Sequence, residues 1–163
     1  MIMIGLGANL PSVLGAPRVT LEAALTALPE AGVSVLARSA WYRSAPVPPS
    51  AQPWFVNAVA LVGTDLGPEP LLELLHGVEA RLGRTRTAVN EPRAIDLDLL
   101  AHGDAVLSGP RVVLPHPRLH LRAFVLLPLR EVAPHWRHPV TGEDVDSLIA
   151  ALPAGQTTER CLD

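Results

Sequence analysis

The sequence predicts one mixed α/β domain over residues 1–163, with helices laid on a mainly antiparallel sheet. Three observations carry that prediction. Two stretches repeat apolar residues at helical spacing, four shorter ones read as strands, and 17 prolines with 12 glycines punctuate the intervals. A chain of 163 residues suits a single compact unit, and 48% hydrophobic against 18% charged residues supplies a core rather than a disordered chain.

The elements follow in order. Met1 to Leu6 is short, apolar and bounded by Gly5 and Gly7, as in a buried strand. Arg18 to Leu28 places Leu21, Ala24, Leu25 and Leu28 on one face, a helix expected to end at Pro29. Val33 to Arg43 alternates through Val35, Ala37, Ser39 and Trp41 and reads as one continuous strand. Trp54 to Gly63 is a further strand, closed by Gly63 and Asp65. Glu69 to Leu82 returns to helical spacing through Leu71, Leu74, Leu75 and Val78. Ile95 to Ala101 is again a strand, with a turn at 102–104. This β-α-β-β-α-β order is the split pattern of a ferredoxin-like sandwich with a four-stranded sheet. Helices near 122–133 and 145–151 form extra C-terminal elements. Two segments, 44–53 and 83–92, lack periodicity and read either as functional loops or as solvated connections.

Charge narrows the function classes. Thirteen basic and sixteen acidic residues give a formal charge of −3, which does not favour a nucleic-acid or membrane-surface binder. Every basic residue is arginine. A Walker A loop, a protein-kinase ATP site and Schiff-base chemistry all require lysine and are excluded. Any phosphate must be held by guanidinium forks. The single cysteine, Cys161, excludes an intrachain disulfide framework. No apolar run approaches a membrane span, and Met1 to Gly5 has no basic signal-peptide region, so a soluble cytoplasmic protein is expected.

The sharpest local signal is Ile95-Asp96-Leu97-Asp98-Leu99. On a strand the three apolar residues face one way and both aspartates the other, roughly 6–7 Å apart along the backbone. Such a pair can converge on hard cations together with phosphate oxygens, or be two solvated aspartates on a half-exposed strand. Arg84, Arg86 and Arg93 crowd the same strand start, as a metal-bound polyphosphate requires, with surface salt bridging the alternative for at least one of them. Downstream, His116 lies between two prolines that stiffen its backbone, followed by Arg118, His120 and Arg122. His116 is suited to donate to a phosphate oxygen, whereas His120 reads as structural. Phe55 and Phe124 are either plain core or two rings clamping a flat heterocycle whose edge Asn57 would read.

The ordered motifs Gly5-Leu-Gly-Ala-Asn-Leu10, Tyr42-Arg43, Phe55-Val-Asn57, Glu79 with Gly83-Arg84, Pro92-Arg93-x-Ile-Asp-Leu-Asp98, and Pro115-His116-Pro-Arg with Arg122-Ala-Phe124 closely resemble the 6-hydroxymethyl-7,8-dihydropterin pyrophosphokinase family. The similarity runs from residue 2 to about residue 152. It implies a ferredoxin-like fold and transfer of pyrophosphate from ATP to the pterin hydroxymethyl group, a step of folate biosynthesis. By matching motif, it implies that Asp96 and Asp98 hold two Mg²⁺. Glu79, Arg84, Arg93, Leu99, His116 and Arg122 are implied to contact ATP, with Arg84 and Arg93 also catalytic beside the aspartates. The pterin would lie between Phe55 and Phe124, read by Asn57 and by the stretch containing Ser44, Ala45 and Val47. Small-molecule partners and a monomer are expected. The sequence departs from some members at Asn90-Glu91, at Ser44-Ala45 and at His76, which stands where glutamine occurs elsewhere. Other readings of the same pattern are a different magnesium-dependent nucleotidyl or phosphoryl transferase, a regulatory module, or an RNA-recognition domain.

Overall fold

The computed structural model describes residues 1–83 and 94–162. The chain runs β1 (Ile2–Ala8), α1 (Pro17–Glu30), β2 (Ser34–Arg38), β3 (Tyr42–Ser44), β4 (Phe55–Gly63), α2 (Pro68–Arg81) and β5 (Asp96–His102). It continues through β6 (Leu107–Ser108), β7 (Val113–Leu114), a 3₁₀ turn (Leu119–Leu121), α3 (Ala123–Val132), α4 (Val145–Ala150) and β8 (Thr158–Arg160). The main sheet has the order β5-β1-β4-β3-β8, with β2 also on β4, and every pairing is antiparallel. It is therefore six-stranded rather than four-stranded.

The sheet is buried on both faces, which is why β1 reads as a continuous apolar run instead of alternating with polar residues. Ile4, Leu6 and Ala8 enter a core shared with Leu21 and Leu28 of α1 and Leu71 and Leu75 of α2. Met3 faces the other way, into a second core with Val59, Leu126 and Leu129, closed by Leu148 of α4. Three layers result, with helix pairs above and below the sheet.

The continuous strand expected over 33–43 is broken in two. Ser39 causes the break: its N–H donates to the Val59 carbonyl at 2.9 Å, while its Oγ accepts from Val59 N–H at 3.0 Å. One serine thus occupies both sides of a peptide pair, and β2 and β3 resume on opposite ends of β4. Pro29 lies inside the last turn of α1 rather than ending it. A proline there forfeits a single backbone bond close to where the bonding would stop anyway.

The C-terminal strand is anchored across the molecule. Glu131 of α3 accepts from Ala40 N–H at 2.8 Å, from the Tyr42 hydroxyl, and from Arg160 Nε at 3.1 Å. Burial raises the Tyr42 phenol to about 12, helped by the neighbouring carboxylate. Burial also acts to raise Glu131, but the bonds from Tyr42, Ala40 and Arg160 outweigh it and hold the carboxyl below the usual glutamate range. Its contribution is therefore present at neutral pH and lost as acid protonates the carboxylate. Glu131→Ala is expected to cost about 2 kcal/mol at pH 7. That difference from the wild type should shrink near pH 3. Urea unfolding at both pH values checks this, and equal midpoints at pH 7 would contradict it.

Candidate active site

The register of the central strands builds the floor of a cavity. Gly5 sits between Asp98 of β5 and Val59 of β4, and Gly7 between Asp96 of β5 and Asn57 of β4. These glycines share the face of Met3, so the sheet there carries no side chains between the carboxylates and the amide. A Cβ on Gly7 would stand 3.1 Å from Asn57 Oδ1, tighter than ordinary contact. A space of about 280 Å³ opens over this floor.

At one end the cavity is lined by Asp96, Asp98 and Arg122, with Arg118 beside them. At the other it is lined by Ser44, Ala45, Val47, Phe55, Asn57 and Phe124. Nine of the site residues expected from the sequence, all but Arg118 of those just named, thus meet around one volume. The bulge in the β1–β5 pairing, between Met3 and Ile4, leaves the alternation intact over 95–99. Ile95, Leu97 and Leu99 pack into the first core and both aspartates face the cavity.

Asn57 is buried, and its Nδ2 donates to Ser44 Oγ at 2.7 Å, which fixes the plane of the amide. Asn9, also buried, donates from Nδ2 to Gln52 Oε1 and to the Pro53 carbonyl, both at 3.0 Å. That pair of bonds ties the irregular wall over 45–54 to the end of β1. Phe55 and Phe124 are both half-buried, and Phe55 belongs to neither core. The Arg122 guanidinium lies 5.3 Å from the centre of the Phe124 ring, a cation–π contact.

His116 stands beside this volume rather than lining it. Its N–H donates to the Leu100 carbonyl at 2.9 Å, and its Nδ1 accepts from Arg118 N–H at 3.1 Å. With Nδ1 an acceptor, the neutral ring carries its proton on Nε2. Burial pushes the imidazole down to about 4, and the Arg122 guanidinium adds to the effect. Asp96 pulls the other way and Arg118 lowers it slightly further. At neutral pH His116 is an uncharged donor.

Two further expected contacts are placed deeper. Glu79 is fully buried on α2, with Oε2 accepting from Leu97 N–H at 2.7 Å, so it braces the peptide between the two aspartates. The Leu99 side chain is only 4% exposed and packs in the core. Arg84 and Arg93 lie outside the described residues. Among the described residues no cluster of three or more His, Cys, Asp or Glu side chains could hold a metal, so from these residues a cation would take the two carboxylates and draw the rest of its shell from elsewhere. All-oxygen donors of that number fit Mg²⁺. Gly5, Gly7, Arg118 and Gln156 also line the cavity without having been singled out as contacts from the sequence.

Fold and site define a three-layer α/β protein whose small-molecule cavity joins an acidic end to an aromatic, amide-bearing end. Residues 3–134 match the profile of 7,8-dihydro-6-hydroxymethylpterin-pyrophosphokinase (HPPK). The chain belongs to that family. It is 43% identical over 156 residues to the 2-amino-4-hydroxy-6-hydroxymethyldihydropteridine pyrophosphokinase of Methylorubrum extorquens, covering 93% of this chain and 94% of the relative. It is 41% identical over 155 residues to the protein of the same name from Pseudomonas aeruginosa, covering 93% and 91%. A crystal structure described as HPPK-DHPS in complex with substrates superimposes with a TM-score of 0.69 at 12% identity, over 92% of this chain and 42% of that one. That last likeness is one of fold.

Proposed function

We propose that this chain transfers pyrophosphate from ATP to 6-hydroxymethyl-7,8-dihydropterin, releasing AMP, as a single Mg²⁺-dependent catalytic domain of ferredoxin-like split topology acting as a cytoplasmic monomer. The observation that carries it is the shared cavity, with the carboxylate pair at one end and two half-buried rings with a fixed amide at the other. Its volume of about 280 Å³ is near the lower bound of ligand pockets. A flat bicyclic ring fits there; a nucleoside triphosphate would have to extend outward past Asp96 and Asp98.

In this reading the pterin stacks between Phe55 and Phe124, and Asn57 reads its edge. The hydroxymethyl oxygen then points at the acidic end. It attacks the β-phosphorus, the bond from that phosphorus to the α–β bridging oxygen breaks, and AMP leaves with the electron pair while the hydroxyl proton passes to solvent water. Two Mg²⁺ held by Asp96 and Asp98, when bound, would neutralise the phosphates and acidify the hydroxyl. The chain's own residues do the aligning: Arg122 and His116 Nε2–H supply phosphate donors, and Glu79 fixes the strand that carries both aspartates. Arg84 and Arg93 complete the proposed nucleotide contacts, the Leu99 side chain being packed in the core instead, while Ser44, Ala45 and Val47 close the pterin end. His116 is poorly placed to serve as a base, since its free nitrogen already accepts from Arg118 N–H. Alignment and charge neutralisation suffice, with no essential base.

The test is an assay with ATP, Mg²⁺ and the pterin, with nucleotide products resolved by mass. AMP formed only when the pterin is present is the expected result. ADP or free phosphate as the product would point to another phosphoryl transferase.

A further inference from the structure

Arg122 is an extended residue (φ −117°, ψ 116°) caught between the 3₁₀ turn and the first residue of α3, and its side chain provides no cap to that helix. In an extended residue the preceding carbonyl and the following N–H point to the same side of the chain, and at a helix start that N–H has no partner within the helix. Here both groups are taken by one side chain, 35 residues on from Leu121 and 33 from Ala123. Gln156 Nε2 donates to the Leu121 carbonyl at 2.8 Å, and Gln156 Oε1 accepts from Ala123 N–H at 2.9 Å. Nε2 also reaches the Pro153 carbonyl at 3.4 Å. A primary amide used this way imitates a neighbouring β-strand. It fixes the two torsions that aim Arg122 and set where α3, and hence Phe124, begins.

The residues next to Gln156 hold the opposite wall. The Thr157 carbonyl accepts from Ala45 N–H at 3.0 Å, and Thr158 pairs with Ser44 in the β3–β8 ladder. The stretch 156–158 therefore spans the ring-lined end of the cavity, tied to Leu121 and Ala123 on one side and to Ser44 and Ala45 on the other. It lies beyond residue 134, where the family match stops.

We infer that Gln156 is a positioning residue for the pterin: its amide clamps the backbone on both sides of Arg122 and so sets the spacing between Phe124 and the 44–47 wall. The inference rests on the pyrophosphokinase reading above. Of the proposed nucleotide contacts only Arg122 depends on the clamp, whereas on the pterin side both Phe124 and the facing wall do. Loss of the amide should therefore separate the two substrates.

The experiment compares the wild type with Gln156→Met, which keeps the length of the side chain and removes its amide hydrogen bonds, and with Gln156→Ala. The KM of each substrate, kcat and the melting temperature are measured for all three. The pterin KM is expected to rise about tenfold in both variants, the factor that about one hydrogen bond's worth of lost pterin contact represents. The ATP KM should change less than about threefold and the melting temperature only slightly, as for a surface-proximal pair of bonds. An unchanged pterin KM in a folded Gln156→Met variant overturns the inference while leaving the catalytic reading intact. So does an equal rise in both KM values together with a lowered melting temperature, which is what a merely structural role would give. A wild-type chain that forms no AMP from ATP and the pterin overturns both.

Discussion

Asp98→Ala and Asp96→Ala are each expected to lower turnover about a thousandfold or more, with pterin affinity changed less than about threefold. The two carboxylates project from one face of β5 into the cavity, opposite Gly7 and Gly5, with β1 between them and Asn57 of β4. Their proposed work is confined to the nucleotide's phosphates and their cations, where charge redistributes as the bond to phosphorus forms. Asp→Asn replacements keep the shape and lose the charge, and should be nearly as damaged. Steady-state turnover, pterin binding by calorimetry and a melting curve separate these effects. Turnover within tenfold of the wild type would remove the metal-holding role.

Phe124→Ala should raise the pterin KM by roughly 30-fold, the equivalent of about 2 kcal/mol for a lost stacking face and its buried area, with little change for ATP. Phe55→Ala should act in the same direction. The two should differ in stability. Phe124 packs partly against the second core, whereas Phe55 belongs to neither core, so only the Phe124 variant should unfold measurably earlier. Two variants that lose stability but keep their pterin KM would return both rings to an ordinary packing role.

What could be read from the chain alone follows from how local each signal is. The Asp-x-Asp strand carried its own evidence, because an apolar row and an acidic row alternate within five residues. Helices α1 and α2 announced themselves by spacing that packing then used without alteration. The break at Ser39 could not be foreseen, since it depends on one side chain inserting against Val59, 20 residues away. Strand β8 escaped notice because Thr158, Glu159 and Arg160 form a short edge strand with no apolar row. The floor of the cavity shows the same limit: Gly5 and Gly7 look like strand-end punctuation until pairing sets them beside the aspartates and Asn57. Gln156 sits among glycine and threonines with nothing local to mark it, and its partners are contributed by another element. Glu79 is marked only through the family motif, as a nucleotide contact; its bond to the Leu97 N–H depends on a strand 18 residues away that nothing local announces.

The central claim is that Asp96 and Asp98 jointly hold divalent ions against the nucleotide's phosphates. It is tested most directly by counting Mn²⁺ bound per chain, by electron paramagnetic resonance, in the presence of the pterin and an ATP analogue with a methylene group in place of the α–β bridging oxygen. The account predicts two tightly bound ions per wild-type chain and loss of both sites in the folded Asp96→Asn, Asp98→Asn double variant. The same stoichiometry and affinity in the double variant would contradict it.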